Sequence, residues 1–189
     1  MKRREKFSKV TIIICIFFLL FFIWILLQFL APIALHSESI SKLDGVVGLI
    51  DNQKEIYNMT IPWNSIYSCG DVLCHQKLDR SFSINGNEMP FCARCTAIWL
   101  GIAIGLGFIV FYKINLDEKF IILILIGLFP IGIDGFGQLF GLWESNNIIR
   151  VITGILIGFI CGLAIGIIID EIDEIFSINT PNFLCKKIK

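Results

Sequence analysis

The sequence predicts an all-α integral membrane protein, a four-helix transmembrane bundle with a small cysteine-rich extracytoplasmic loop that contains a β-hairpin. Three observations predict it. Hydrophobic residues make up 56% of the 189 and mean hydropathy is +0.78, beyond what a water-facing surface tolerates. They fall in four long blocks rather than at amphipathic spacing. Four of the seven cysteines are gathered in one polar stretch after the first block. With 16 basic and 16 acidic residues the net charge is zero, so no basic field serves a nucleic acid, and membrane lipid is the expected partner.

Residues 1–9 form a basic N-terminus, with Lys2, Arg3, Arg4, Lys6 and Lys9. The first span, 10–32, is almost unbroken Ile, Phe, Leu and Trp. About 20 helical residues cross a hydrocarbon core ~30 Å thick. A cleaved signal has an apolar stretch of only ~7–15 residues, so this block is read as an anchor, although small residues within 31–34 resemble a peptidase site. The loop 33–96 follows. The second span, 97–112, is short and needs its flanks to cross. A connection at 113–119 leads to the third span, 120–140, and a turn at 141–150 leads to the fourth, 151–169, ahead of a tail at 170–189.

Basic residues next to spans are retained in the cytoplasm. The N-terminus, Lys113 and Lys119 in the connection, and Lys186, Lys187 and Lys189 in the tail all satisfy that rule if both termini are cytoplasmic. The expected location is the plasma membrane, multi-pass, with 33–96 and 141–150 outside. Basic residues of the long loop do not oppose this, because long loops translocate largely regardless of charge.

Gly154, Gly158, Gly162 and Gly166 recur every fourth residue in the last span and make a groove for close helix packing. Gly101 and Gly105 of the second span, and Gly127, Gly132 and Gly135 of the third, are its expected partners. The stripe is assigned to the fold.

The loop carries the chemistry. Its cysteines are Cys69, Cys74, Cys92 and Cys95, with His75 beside Cys74, whereas Cys15, Cys161 and Cys185 read as small hydrophobes or an inert thiol. Asn85-Gly86 is a hairpin signal, and a hairpin there returns Cys92 and Cys95 toward Cys74 and His75. Three readings of these thiols stand open. The leading one is zinc on Cys74, His75, Cys92 and Cys95, four soft ligands of the number a tetrahedral ion takes. The second is a disulfide-stapled loop in an oxidising compartment, as suits a transporter or structural membrane partner. The third is a thiol-disulfide oxidoreductase using Cys92 and Cys95 at a helix N-terminus, where the dipole and Arg94 favour a thiolate. Small four-helix enzymes that pass electrons from protein thiols to quinone have a similar placement, a likeness of fold alone.

A second polar group lies at the same membrane edge. Asp134 is fourteen residues past Phe120, ~21 Å along the helix, and an acid at that depth pairs or lines a polar cavity. Gln138 is one turn further on, and Pro130 marks a kink before it. Arg150 is the expected counter-ion of Asp134 or Glu144, and Asn146 or Asn147 is expected to cap the last helix. Asp134, Glu144 and Arg150 are therefore the candidate catalytic residues.

In order, Cys74-His75-Gln76, Arg80-Ser81-Phe82, Pro90-Phe91-Cys92-Ala93-Arg94-Cys95-Thr96, Asp134-Gly135 with Gln138, Glu144-Ser145-Asn146, Arg150 and Thr153-Gly154 resemble the pattern of a prokaryotic membrane family, domain of unknown function 2085. The resemblance covers roughly 69 to 166 and implies an integral membrane protein without an established activity. The chain departs from that pattern at three places. Ala97 follows Cys-Thr where glycine is usual, Gly137 takes a threonine-like position, and Trp143 replaces an arginine before Glu144. The last removes a cation from the outer turn and weighs against an anion-binding role for that position.

Elsewhere the loop offers Asn58-Met59-Thr60, a glycosylation sequon of a kind common by chance, and an apolar patch from Gly45 to Ile50 too short to span. No phosphate-cradling loop or Ser-His-Asp set is present in the sequence. The expectation is one extracytoplasmic site, a cysteine-bound zinc beside a polar pocket, acting on or binding an anionic or lipid-headgroup ligand.

Overall fold

The computed structural model describes residues 2–3 and 8–179. Lys186, Lys187, Lys189 and Cys185, as well as Arg4 and Lys6, lie outside the described residues. Four helices are long and apolar enough to cross a membrane: α1 (Lys9–Ala34), α4 (Ala93–Phe111), α5 (Glu118–Leu139) and α6 (Asn147–Asn179). Two short helices, α2 (Gln53–Tyr57) and α3 (Trp63–Leu73), lie between the first two. Two-residue strands complete the set: β1 (Lys2–Arg3), β2 (Ser83–Ile84), β3 (Asn87–Glu88) and β4 (Tyr112–Lys113).

Three of the four long helices, α1, α5 and α6, start where a short polar side chain replaces a missing backbone partner. Ser8 Oγ accepts from Thr11 N at 3.1 Å, Asp117 Oδ1 from Phe120 N at 2.9 Å, and Asn146 Oδ1 from Ile149 N at 2.9 Å. Asn146 is thus the cap of α6. Its helix begins four residues before the apolar block does, so Arg150 stands in its first turn and not in the preceding loop. At the other end α6 runs ten residues past the block, through Asp170 and Glu171, because no Gly or Pro interrupts it there. At 33 residues it is about 50 Å long, well beyond the ~30 Å of hydrocarbon. Likewise α4 opens at Ala93 instead of 97, which puts Cys95 on a helix. α5 continues as one helix through Pro130.

The glycine groove joins α6 to α4. A Cβ added at Gly158 would run into the Ile98 carbonyl, and one at Gly154 would stand 2.7 Å from the Arg94 carbonyl. Only glycine lets the backbones approach this closely. The third span does not share in it as expected. Gly132 and Gly135 have nothing within 4 Å, and Gly127 meets only the Ile160 side chain. The face α4 turns toward α6 already fills the groove, so α5 packs beside it. Ile14, Leu106, Ile109, Leu163 and Ile167 close the core between α1, α4 and α6.

β1 pairs antiparallel with β4, so the start of α1 and the end of α4 share one end of the bundle. Chain order then puts the starts of α4 and α6 and the end of α5 at the other end, under the 35–92 loop. That loop has its own core, in which Ala31 of α1 meets Ile40, Leu43, Ile56, Ile66 and Tyr67. Its hairpin forms as expected: β2 and β3 pair Ser83 with Glu88 and Ile84 with Asn87, and Asn85 and Gly86 both adopt positive φ. Asn87 then ties the hairpin to α1, donating to the carbonyls of Pro32 at 3.0 Å and His36 at 2.8 Å. The Glu88 carboxylate accepts from Lys42 N and Leu43 N at 2.8 and 3.0 Å. The 45–50 turn is held by Gly48 N on the Val72 carbonyl at 2.8 Å, and leaves Val46, Val47, Leu49 and Ile50 exposed.

Candidate thiol and arginine site

Three thiols converge at the N-terminal end of α4. Their positions follow from how α3 ends. Gly70 lies so close to Pro90 that a Cβ there would overlap the Pro90 carbonyl, and Gln76 Nε2 donates to that same oxygen at 2.8 Å. Pro90 is thereby fixed against the end of α3, and Cys92 arrives beside Cys74, with Cys92 N donating to Cys74 Sγ at 3.3 Å. Cys92 caps α4 and Cys95 lies in its first turn, a spacing that turns both side chains to one side. The sulfurs of Cys74, Cys92 and Cys95 all lie within 4.8 Å of one another. Sulfurs ~2.3 Å from a tetrahedral ion stand about 3.8 Å apart, so the set fits a thiophilic metal.

His75 does not join them. Cys74 is extended (φ −140, ψ 150), and in extended backbone alternate residues point to opposite sides. Cys74 and Gln76 therefore face inward and are buried, while His75 is exposed. Cys69 is exposed on α3 and also stands apart, and Cys74, Cys92 and Cys95 are free thiols rather than disulfide partners. Hydrogen bonds from the Cys74 and Cys95 thiols, helped by the backbone N–H groups of Cys95 and Arg94, drive the Cys92 thiol far below the usual thiol range. The shared hydrogen bond with Cys92 and burial push Cys74 the opposite way. The lowering at Cys92 and the rise at Cys74 have one largest cause, the hydrogen bonding that the thiols share.

Arg94, between the two helical cysteines, reaches across to α5. Its Nη2 makes an ion pair with Oδ2 of Asp134, which is 4% exposed. Gln138 Nε2 adds a bond to the same oxygen at 3.0 Å and Trp143 Nε1 one to Oδ1 at 3.4 Å. Trp143 gets there through the end of α5, where Gly141 (φ +67) lets Gly141 N and Leu142 N return to the carbonyls of Gln138 and Gly137. The chain reverses, and the indole lies on Gly137, where any Cβ would overlap it.

The counter-ion of Asp134 is accordingly Arg94, not Arg150, because α4 rather than α6 presents a cation to that face of α5. Arg150 is 4% exposed and donates instead to Asn147 Oδ1 at 3.0 Å and the Asp79 carbonyl at 3.5 Å. Arg80 lies 3.5 Å from the Asp79 carboxylate, on the turn Leu78–Arg80. Arg80, Arg94, Asp79 and Cys92 are the charged groups that act on Arg150. Glu144 is exposed in the α5–α6 turn and has no ion pair among the described residues. Sequence reasoning gave Arg94 no pairing role and overlooked Arg80. The available signal for Arg94 was its place between two cysteines of one helical turn.

Comparison with known proteins bears on the stretch that builds this cluster. A family model described as a predicted membrane protein, DUF2085, matches residues 74–168, from Cys74 into the last span. An uncharacterized protein of Methanocaldococcus jannaschii is 41% identical over 97 residues, 50% of this chain and 62% of its own length. An uncharacterized protein of Methanothermobacter thermautotrophicus is 39% identical over 93 residues, 49% of this chain and 82% of its own. The chain thus spans less than two thirds of the first relative. No solved structure matches.

Proposed function

Taking as premise that this chain belongs to the DUF2085 family of predicted membrane proteins, we propose that it is a metal-dependent membrane protein whose chemistry lies on the outer face. In this reading both termini are cytoplasmic and the membrane is the plasma membrane. The basic residues near β1 and β4 support that, since their pairing sets two positive segments at one end of the bundle. Cys74, Cys92 and Cys95 would hold zinc, and three protein ligands would leave it able to take a further ligand.

The observation that carries the reading is the meeting of three sulfurs within 4.8 Å, drawn from two segments eighteen residues apart. A structural zinc takes four protein ligands, whereas a reactive one keeps three and leaves a place for water or substrate. A zinc ion so held would supply a Lewis acid for a ligand oxygen. Around it the chain supplies orientation. Cys92 N donates to the Cys74 sulfur, and the Arg94–Asp134 pair fixes the helix turn that holds Cys92 and Cys95. The ligand is an anionic molecule or a lipid headgroup, because arginines and two helix N-termini border the cluster.

The second reading, a thiol-disulfide oxidoreductase using Cys92 and Cys95, is favoured by the stabilised Cys92 thiolate alone. Metal analysis of the purified protein, with thiol alkylation before and after chelation, decides between them. Zinc at about one ion per chain, and thiols that alkylate only after chelation, is the expected result. Metal-free protein whose Cys92 and Cys95 interconvert between disulfide and dithiol would overturn it in favour of the second. Inert thiols without metal would leave a transporter or structural role.

A further inference from the structure

Among the described residues, Arg150 is a buried cation that makes no ion pair. At 4% exposure it has no described carboxylate within ion-pair distance, and among the described residues only its Nη1 is engaged, by two neutral oxygens. Removing a guanidinium from water without a charged partner is costly. Of the four charged groups that act on it, Arg80 and Arg94 are of its own sign and come before the two of opposite sign, Asp79 and Cys92. Arg94 also keeps an unused donor, since its Nε is buried with no hydrogen-bond partner among the described residues, and Arg80 Nε makes no hydrogen bond beyond its 3.5 Å approach to the Asp79 carboxylate. Asp134 takes Arg94 through Nη2 alone, and Asp79, with a side chain 63% exposed, holds Arg80 at 3.5 Å.

We propose that Arg80, Arg94 and Arg150 together form a receptor for a phosphate group, either of a free phosphate or of a lipid headgroup. The three arginines come from separate elements, the turn Leu78–Arg80, α4 and α6, which meet where Arg150 Nη1 reaches the Asp79 carbonyl and Gly154 packs on the Arg94 carbonyl. A tetrahedral oxyanion offers oxygens in enough directions to accept from all three, whereas a carboxylate offers two oxygens in one plane. The inference rests on the zinc reading for one point, that a metal held by Cys74, Cys92 and Cys95 would supply a further positive charge for the phosphate.

The test uses full-length protein in a phosphate-free detergent, with metal content measured on every sample. One arm titrates inorganic phosphate by calorimetry. The other measures retention of phosphatidic acid, against diacylglycerol with the same chains, by native mass spectrometry. Binding in the first arm alone identifies free phosphate and binding in the second alone a lipid phosphate. Either supports the proposal when Arg80→Gln or Arg150→Gln weakens it about tenfold, the loss of one charge-assisted bond, with metal content unchanged. Arg80 is partly exposed, so its variant reports even where Arg150→Gln fails to fold. Metal-loaded protein that binds in neither arm overturns the phosphate receptor and leaves the zinc reading standing. Arginine-dependent binding by protein that never holds metal keeps the receptor and overturns the zinc reading.

Discussion

Replacing Gly158 by alanine tests the packing on which the site is built. At an exposed helix position alanine gains ~0.5–1 kcal/mol over glycine. At Gly158 the new Cβ would overlap the Ile98 carbonyl, a backbone atom that no rotamer change can remove. One turn earlier, at Gly154, moving a 2.7 Å approach to the Arg94 carbonyl out to an ordinary 3.4 Å separates the helices by about 0.7 Å. Overpacking of this kind costs about 1–3 kcal/mol. Gly132→Ala and Gly135→Ala are the controls, because nothing lies within 4 Å of either position. Unfolding by sodium dodecyl sulfate in mixed micelles should therefore rank Gly158→Ala about 2–4 kcal/mol below Gly132→Ala, with Gly154→Ala close to the former. Gly154→Ala should also weaken metal binding, since the carbonyl it displaces belongs to the residue between Cys92 and Cys95. Equal stability of the Gly158 and Gly132 variants would refute the close α4–α6 approach, and the placement of Cys95 and Arg94 with it.

Cys92→Ser and Cys95→Ser should each abolish metal retention, whereas His75→Ala, which alters an exposed side chain, should leave it intact; elemental analysis of purified protein reads both. Asp134→Asn leaves Arg94 facing a neutral amide and should cost about 1.5–3 kcal/mol in the same micelle unfolding, the range for hydrogen bonds to charged groups. Burial pushes the Glu88 carboxyl above its ordinary 4.5, against the opposing bonds from Lys42 N and Leu43 N. An acid whose pKa rises on folding adds stability that is complete below its unfolded value and is lost as pH rises through the folded one. Amide exchange at 40–43, corrected for intrinsic rate, should therefore show the segment opening more readily as pH rises above about 4.5, and Glu88→Gln should remove that dependence.

Four spans were legible because lipid selects on composition, and composition is local. Their ends were not, because hydropathy marks where lipid stops while hydrogen bonding marks where a helix stops; α6 continues through Asp170 for that reason. The hairpin was legible from Asn85-Gly86, since positive φ at both positions is a demand that few residue pairs meet. The thiol pair on α4 could be read from its spacing. The direction of His75 could not, because whether neighbours share a side depends on whether the backbone is helical or extended there. The partner of Asp134 was beyond local reasoning altogether. Arg94 and Arg150 both start helices at the same membrane edge, and only the glycine-set packing of α4 on α6 decides which of them turns toward α5.

Two of the three departures from the family pattern meet each other in space, and this bears on the charge around Asp134. Trp143 stands where the resembled pattern has an arginine, which by itself argues against an anion at the α5–α6 turn. Its indole needs the room that Gly137 leaves, and any side chain there would push it away from Asp134. In place, Trp143 Nε1 gives Asp134 a neutral donor at 3.4 Å. Asp134 thus gains a hydrogen bond without gaining a second cation, and its one ion pair uses a single nitrogen of Arg94. A cation at 143 would compete with Arg94 for the carboxylate. The indole instead holds Asp134 on Arg94 Nη2, so the thiol-bearing turn of α4 is anchored to α5 while the other donors of that guanidinium stay available. Gly137→Thr should undo both effects at once, lowering stability and altering metal retention, while Gly135→Thr, facing open space two residues away, should do neither.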